Sequence, residues 1–174
     1  MVVYRVVVAP WRALPEMLAR AGESTVNAIT IRRAELPDLD ALVPLFDAYR
    51  MFYEQPSDLA GAAMFLRERF ELGESVILIA LDAAGAVGFT QLYPAFSSVC
   101  MRRLFLLNDL FVHARARGKR VGERLLAAAA DHGRAAGCVR LVLTTAVTNA
   151  QAQALYERTG WVRDTHDYTY ELAL

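Results

Sequence analysis

A basic turn containing two glycines is the part of the sequence whose residue types most clearly suit chemistry. It runs Arg117-Gly118-Lys119-Arg120-Val121-Gly122 and follows an apolar stretch that ends at Val112. The N–H groups at the start of a helix, reinforced by the helix dipole, favour a phosphate or another anion, and glycine lets an anion approach the backbone closely. The spacing matches neither GxxxxGK(S/T) nor GxGxxG. Taken alone, the turn fits an anion site and a solvated basic turn equally well.

A second candidate is the polar pair Asn108-Asp109, which interrupts the otherwise apolar run from Leu104 to Val112. In a regular strand the two side chains would point to opposite faces of the sheet. A buried carboxylate without a partner is expensive. Asp109 is therefore conspicuous in a segment that otherwise reads as a buried strand.

Periodicity and capping residues predict the elements that position these groups. The predicted strands, in chain order, are Ile29–Arg32, Val76–Leu81, Val87–Tyr93, Leu104–Val112, Val139–Thr145, Trp161–Val162 and Tyr168–Leu172. The predicted helices run from Pro37-Asp38 to Tyr49, from Ser57 or Asp58 to Gly73, from near Gly118 to Gly137, and from Asn149 to Arg158. Residues 82–85 predict an antiparallel hairpin, and the strand–helix–strand unit over residues 104–145 should be right-handed and parallel. We therefore expect a mixed α/β sheet with helices on both faces.

Composition limits the classes of function. The chain has 174 residues, of which 55% are hydrophobic, and 19 basic residues balance 19 acidic ones. This is the size of one globular domain, and no overall field attracts nucleic acid or a membrane. The three histidines match no zinc motif, so no metal is expected. Cys100 and Cys138 form no CxxC pair, which indicates a reduced, cytoplasmic setting without a disulfide framework.

The N-terminal region is considered apart from the predicted domain. Its apolar stretch, residues 2–9, is too short to span a bilayer and lacks the uninterrupted apolar region of a secretory signal. We therefore expect an N-terminal extension over residues 1–27 and one domain over residues 28–174.

Two segments together resemble the signatures of the GNAT superfamily of N-acetyltransferases. The basic turn resembles its motif (R/Q)-x-x-G-x-(G/A), and residues 149–161, NAQAQALYERTGW, resemble its motif N-x-x-A-x-x-L-Y-x-x-x-G-(F/W). The two lie on successive predicted helices, in the order that the family has. The resemblance covers roughly Ile29 to Leu174, and its overall pattern is most similar to the yeast histone/polyamine acetyltransferase-like branch.

The resemblance implies a single GNAT-type domain with a mixed, largely antiparallel sheet whose central parallel pair splays apart. It also implies acetyl-CoA as the cofactor and direct transfer to a primary amine of a small molecule or a peptide. The implied cofactor-binding residues belong to the strand before the basic turn, to the turn itself and to the last helix: Leu110, Phe111, Val112, Arg117, Gly118, Lys119, Arg120, Val121, Gly122, Asn149 and Tyr156.

Two positions decide how closely the chain keeps the family pattern. Tyr156 stands at the position of the family's general acid, which protonates the departing CoA thiolate. A phenol with a pKa near 10 is protonated at neutral pH and can donate without tuning. Arg120 replaces the first glycine of the family's basic motif. A helical φ/ψ tolerates arginine there, whereas a positive φ would cost on the order of 1 kcal/mol.

By the same resemblance Asp109 lies beside the acceptor amine, where it could hold an ammonium group or take its proton. A lysine-like amine is neutral in only about 1 molecule in 2,500 at pH 7, and an unshifted aspartate is roughly six pKa units too weak as a base. We therefore expect Asp109 to orient the amine while the proton leaves through ordered water. Polyamine acetyltransferases carry Glu-Asp where this chain has Asn108-Asp109, which weakens the assignment of a polyamine.

Further candidates for contacting the acceptor are aromatic and polar residues beside the implied groove: Phe52, Tyr53, Glu54, Gln91, Tyr93 and Asn108. Aromatic rings with a carboxylate can bind an amine, and the same residues equally suit ordinary core and surface positions. The alternatives are a non-catalytic CoA-binding module and a basic nucleic-acid-binding module using Arg115 to Arg124, against which the zero net charge counts. The expected partners are an amine substrate and, as in other family members, a second copy in a homodimer, without nucleic acid or membrane.

Overall fold

The computed structural model describes residues 29–173, so the predicted extension over residues 1–27 lies outside the described residues. The first of two compact units ends at Thr144 and contains a five-stranded sheet in the order β1-β2-β3-β4-β5. Its strands are β1 (Thr30–Arg33), β2 (Val76–Asp82), β3 (Gly85–Ser97), β4 (Arg102–Val112) and β5 (Leu141–Val142). Strands β1 to β4 pair antiparallel, and β4 pairs with β5 in parallel. The predicted mixed, largely antiparallel sheet with a parallel pair is confirmed.

The described residues form four α-helices, of which the first three belong to the first unit: α1 (Leu39–Phe52), α2 (Leu59–Leu72), α3 (Val121–Ala135) and α4 (Ala150–Arg158). Their ends follow from local chemistry. Asp58 caps α2 by accepting a hydrogen bond of 2.8 Å from the Gly61 N–H, and Gly73 ends it with a left-handed φ of 63°, as Gly73's lack of a side chain allows. Within the described residues, no helix is both long and apolar enough to cross a membrane.

Helices cover both faces of the sheet in the first unit. Phe89 of β3 belongs to the apolar core formed with α1 and α2. At its neighbour Gly88, an added Cβ would lie 3.5 Å from the side chain of Leu125 on α3. Because successive residues of a strand point to opposite faces, α1 and α3 lie on opposite sides of the sheet. The predicted two-sided arrangement is confirmed.

Strand β4 contains a β-bulge at Asn108. Gln91 pairs with Asp109, whereas the next residue of β3, Leu92, pairs with Leu107, so Asn108 is the extra residue. Before the bulge the Phe105 ring contacts His132 on α3, with ring centroids 5.4 Å apart. After it the Phe111 ring contacts Tyr49 on α1, at 6.4 Å. The bulge therefore moves the odd-numbered side chains of β4 from one face of the sheet to the other, and simple alternation does not hold at Asn108-Asp109.

Several predicted boundaries in this unit are wrong, among them the end of α1, which lies at Phe52 instead of the predicted Tyr49. The predicted strand Val139–Thr145 is reduced to Leu141–Val142, which pairs with Phe105 and Leu106. The pairing stops there because the bulge that follows bends β4 and disrupts its hydrogen-bond ladder. Strand β3 continues beyond Tyr93 to Ser97 because it stays paired with β4. Helix α3 begins at Val121, later than the predicted start near Gly118, because two residues of the turn have positive φ.

The second compact unit comprises Thr145–Leu174 and contains α4. Asn149 caps this helix, as predicted, by accepting a 3.2 Å hydrogen bond from the Ala152 N–H. The predicted strands Trp161–Val162 and Tyr168–Leu172 are wrong, because residues 159–173 contain no strand. The alternating apolar side chains of that segment are exposed, so the pattern that suggested a strand is not matched by a buried face in the described residues.

Candidate active site

The basic turn adopts a conformation that leaves the start of α3 open. Gly118 has a φ of 74°, and Arg120 has a φ of 58° and a ψ of 19°, both in the left-handed region. Arg120 is the N-cap of α3, and its side chain makes no capping hydrogen bond. The first N–H groups of a helix have no partner within the helix. The N–H groups of Val121 and Gly122 therefore have no partner within α3, and their binding of an anion stays a prediction.

The cations of this turn have different roles in the structure. Arg115 is anchored away from the turn, because its guanidinium donates to Asp82 at 2.5 Å and to the carbonyl of Ala86 at 3.1 Å. Arg117 donates back to the carbonyl of Val112 at 3.3 Å, and Arg120 forms an ion pair of 2.7 Å with Glu123. Arg115 thus ties the turn to the β2–β3 hairpin, while Arg117, Lys119 and Arg120 lie exposed around the start of α3.

The last residues of β4 use only one edge for pairing. Leu110, Phe111 and Val112 pair with β3. In the unit that ends at Thr144, no described strand pairs with the opposite edge beyond Leu106. In an antiparallel pair, alternate residues direct their N–H and C=O groups away from the partner strand. Backbone groups of this segment are therefore not paired with a described strand on that edge, and their contact with the pantetheine arm stays a prediction.

Asp109 is a buried carboxylate without a cationic partner. Its exposed fraction is 4%, and among residues 29–173 no arginine, lysine or histidine forms a salt bridge with it. Asn108 donates a side-chain hydrogen bond of 3.1 Å to it, and the Tyr49 hydroxyl donates at 3.4 Å to the backbone carbonyl of Asn108, the residue before it. Burial raises the pKa of Asp109 above its ordinary value, and the side chains of Tyr49 and Asn108 oppose that rise.

Gln91 and Tyr93, both predicted as substrate contacts, lie on β3 beside Asp109. Gln91 is the direct register partner of Asp109 and is fully buried. Its Nε2 donates to the Ser75 hydroxyl at 2.8 Å, and its Oε1 has no hydrogen-bond partner within the described part of the chain. Burial, and next the charge of Asp109, raise the pKa of Tyr93 above its ordinary value. The side chains of Gln91 and Tyr93 therefore place polar groups next to the carboxylate of Asp109.

The predicted aromatic contacts Phe52 and Tyr53 are connected to the neighbourhood of Asp109 by Tyr49, a residue that the sequence analysis did not assign to the site. The Tyr49 ring lies 5.2 Å from Tyr53, edge to face, and Tyr53 lies 5.2 Å from Phe52. Burial, and then the charge of Asp109, raise the pKa of Tyr49 above its ordinary value. The sequence feature that could have identified Tyr49 as a residue facing the sheet is its helical spacing, three residues after the buried Phe46. Glu54 is exposed in the turn after α1, with a φ of 61°.

Tyr156 and Asn149 belong to the second compact unit. Tyr156 is half-buried on α4, and its ring centroid lies 6.2 Å from that of Trp161. The Trp161 N–H donates to the carbonyl of Tyr156 at 3.0 Å. The conformation after α4 therefore fixes the tryptophan beside the tyrosine. Asn149, predicted to contact the cofactor, has its side chain engaged in capping α4.

Comparison with known proteins agrees with this architecture. Residues 42–161 match the model of the acetyltransferase (GNAT) family. The chain is 51% identical over 137 residues to an uncharacterised N-acetyltransferase, YhfO, of Bacillus subtilis strain 168, covering 79% of this chain and 92% of the relative. It is 31% identical over 143 residues to a probable acetyltransferase of Haemophilus influenzae, covering 82% and 96% respectively. The crystal structure of a probable acetyltransferase, 39% identical, superposes with a TM-score of 0.79 over 83% of this chain and 97% of that one. The chain therefore belongs to the GNAT family of acetyltransferases.

Proposed function

We propose that the protein transfers an acetyl group from acetyl-CoA to a primary amine by direct attack. The observation that carries the proposal is Asp109, a buried carboxylate without a cationic partner in the described chain, within an acetyltransferase fold. Buried charges are normally paired, and an ammonium group would supply the missing charge. The alternative is a non-catalytic CoA-binding module of the same fold.

The donor site is proposed at the turn before α3. The uncapped N–H groups at Val121 and Gly122, together with the cations Arg117, Lys119 and Arg120, would bind the pyrophosphate. An added Cβ at Gly118 would meet no atom within 4 Å, so the backbone there is open to a ligand. The unpaired edge at Leu110–Val112 would bind the pantetheine arm and polarise the thioester carbonyl through its N–H groups.

The chemistry requires one proton to leave the amine and one to reach the sulfur. Asp109 would orient the ammonium group, and its raised pKa makes it a somewhat better proton acceptor than an exposed aspartate. Because a lysine-like amine is still far more basic, the proton would leave through ordered water. Tyr156 would act as general acid and protonate the departing thiolate. This role is supported by the position of Tyr156 in its sequence motif.

The test is free-thiol release from acetyl-CoA with a panel of primary amines. We expect turnover for at least one amine, and Tyr156→Phe should lower kcat by about 100-fold or more with little change in CoA affinity. Tyr168→Phe, at an exposed tyrosine of the same unit, is the matched control and should keep full activity. CoA-dependent thermal stabilisation without thiol release for any amine would favour the non-catalytic module.

We infer a cytoplasmic setting and a homodimer as further expectations, together with the absence of nucleic-acid binding. Sedimentation at several protein concentrations tests the dimer. A salt-dependent filter-binding assay tests the nucleic-acid alternative, in which Arg115 to Arg124 would contact phosphates. The yeast histone/polyamine-like branch also stays a prediction, and it is tested by the acceptor panel below.

A further inference from the structure

We propose that the acceptor is a monocationic amine carried on an apolar, preferably aromatic, body. This inference rests on the proposed function, since it names the substrate class of the same site. It is carried by the juxtaposition of two features: the carboxylate of Asp109, which has no cationic partner among residues 29–173, and a series of aromatic rings that begins at Tyr49 and ends at the exposed side chains of Phe52 and Tyr53.

The charges around Asp109 favour a single positive charge on the acceptor. The other charged groups that act on the adjacent Tyr93 are Arg69 and Glu74. Arg69 is paired with two carboxylates, since its Nε lies 2.6 Å from Glu74 Oε2 and its Nη2 lies 2.7 Å from Glu68 Oε2. Among these groups, Asp109 is the carboxylate that no arginine in the described residues already pairs with. The further positive charges of a polyamine would meet carboxylates that Arg69 already pairs with.

The wall that leads away from Asp109 is aromatic. Tyr49 contacts four rings at centroid distances of 6.4 Å or less, those of Phe46, Phe89, Phe111 and Tyr53. Its hydroxyl donates at 3.4 Å to the backbone carbonyl of Asn108, whose side chain donates to the carboxylate of Asp109 at 3.1 Å. Tyr49 therefore lies between the carboxylate of Asp109 and the aromatic side chains. An ammonium held at Asp109 would carry its substituent along these ring faces and edges.

The outer end of this wall is open to solvent. Phe52 and Tyr53 have exposed fractions of 60% and 48%, although their rings are in edge-to-face contact. Exposed aromatic side chains next to a buried charge suit a ligand with one apolar end and one cationic end. A flat aromatic substituent would cover Phe52 and Tyr53, which a short alkyl chain would not reach.

The experiment compares kcat/KM for acceptors of graded character: 2-phenylethylamine, 2-cyclohexylethylamine, n-propylamine and spermidine. We expect 2-phenylethylamine to be preferred, with spermidine poorest. Phe52→Ser and Tyr53→Ser should raise the KM for 2-phenylethylamine by about 5- to 30-fold and leave that for n-propylamine within about twofold. Met64→Ser, at a 72% exposed apolar side chain of α2, is the matched control and should alter neither value. A preference for spermidine, or an equal effect of the serine variants on all amines, would overturn the inference.

A binding measurement separates this inference from the proposed function. Thermal shift in the presence of CoA reports amine binding without requiring turnover. If no amine releases thiol but 2-phenylethylamine stabilises the protein more than spermidine does, and Phe52→Ser abolishes that difference, the substrate-class inference stands and catalysis fails. If thiol release is strongest with spermidine, catalysis stands and the inference fails.

Discussion

Replacing Arg120 by glycine should stabilise the protein, although it removes a visible ion pair. Arg120 has a φ of 58° and a ψ of 19°, a conformation that costs a non-glycine residue roughly 1–2 kcal/mol. Its ion pair with Glu123 is solvent-exposed, since the arginine side chain is 80% accessible, and such a pair contributes about 0.3–0.5 kcal/mol. Glycine also adds about 0.4–1 kcal/mol of unfolded-state entropy. The net gain for Arg120→Gly is therefore about 0.5 kcal/mol.

The informative comparison is between glycine and alanine at this position. Arg120→Ala loses the ion pair and keeps the unfavourable φ, so it should be about 1 kcal/mol less stable than Arg120→Gly. For a chain of this size, 1 kcal/mol shifts Tm by about 2–4 °C. Scanning calorimetry should therefore place the melting temperatures in the order glycine, wild type, alanine. Arg120→Asn should lie above alanine, because asparagine tolerates the left-handed region.

A melting temperature of Arg120→Gly equal to or below that of Arg120→Ala would refute the reasoning. That result would mean that the left-handed conformation carries no strain in solution, because both variants lack the ion pair. A melting temperature of Arg120→Gly above that of Arg120→Ala but below that of the wild type would instead mean that the ion pair to Glu123 is stronger than an exposed pair should be. Glu123→Gln measures the contribution of the ion pair by itself, since it removes the pair while Arg120 keeps its backbone conformation. We expect it to lower Tm by no more than about 2 °C.

Three further predictions concern other parts of the first unit. The pKa of Asp47 is held below its ordinary value, first by the Asp58 N–H and next by the Ser57 hydroxyl. The stabilisation of the folded protein by the Asp47 carboxylate is therefore present above about pH 4 and lost as pH falls through the lowered pKa. Asp47→Asn should accordingly flatten the fall of Tm with acidification. Gly88→Ala would place a Cβ 2.7 Å from the carbonyl oxygen of Phe111 and should destabilise by roughly 1–3 kcal/mol in urea unfolding. If the proposed function holds, Arg115→Ala should raise the KM for acetyl-CoA more than that for the amine, and the charge-swapped pair Asp82→Arg with Arg115→Asp should recover part of the loss.

The helix ends were predictable because capping is a local property of the chain. Asp58, Gly73 and Asn149 act in the structure as their residue types predict. The hairpin between β2 and β3 and the two-sided arrangement of helices followed in the same way from turn residues and periodicity. These features depend on contacts between residues that are close in sequence, so a single sequence carries enough information to place them.

The features that could not be predicted depend on pairing over long distances. The shortening of β5 and the continuation of β3 to Ser97 are set by which strand edge lies opposite, which no local pattern records. The positive φ of Arg120 was one of two conformations that the sequence left open, and the residue type argued against it. The hydrogen bond from Tyr49 to the carbonyl of Asn108 joins residues 59 positions apart, and only the folded sheet brings them together.

The bulge at Asn108 has a consequence for changes in the length of β4. Because Asn108 is an extra residue in β4, the side chain of Phe105 packs on the face of the sheet covered by α3, whereas that of Phe111 packs on the face covered by α1. Deleting Asn108 would make Leu107 and Asp109 consecutive residues opposite Leu92 and Gln91, so Asp109 would keep its face of the sheet. A single-residue deletion here would thus remove the bulge without exchanging the site's carboxylate for a neighbouring side chain. Asn108 is therefore the position at which β4 should accept a change of length without turning the side chains on either side of it.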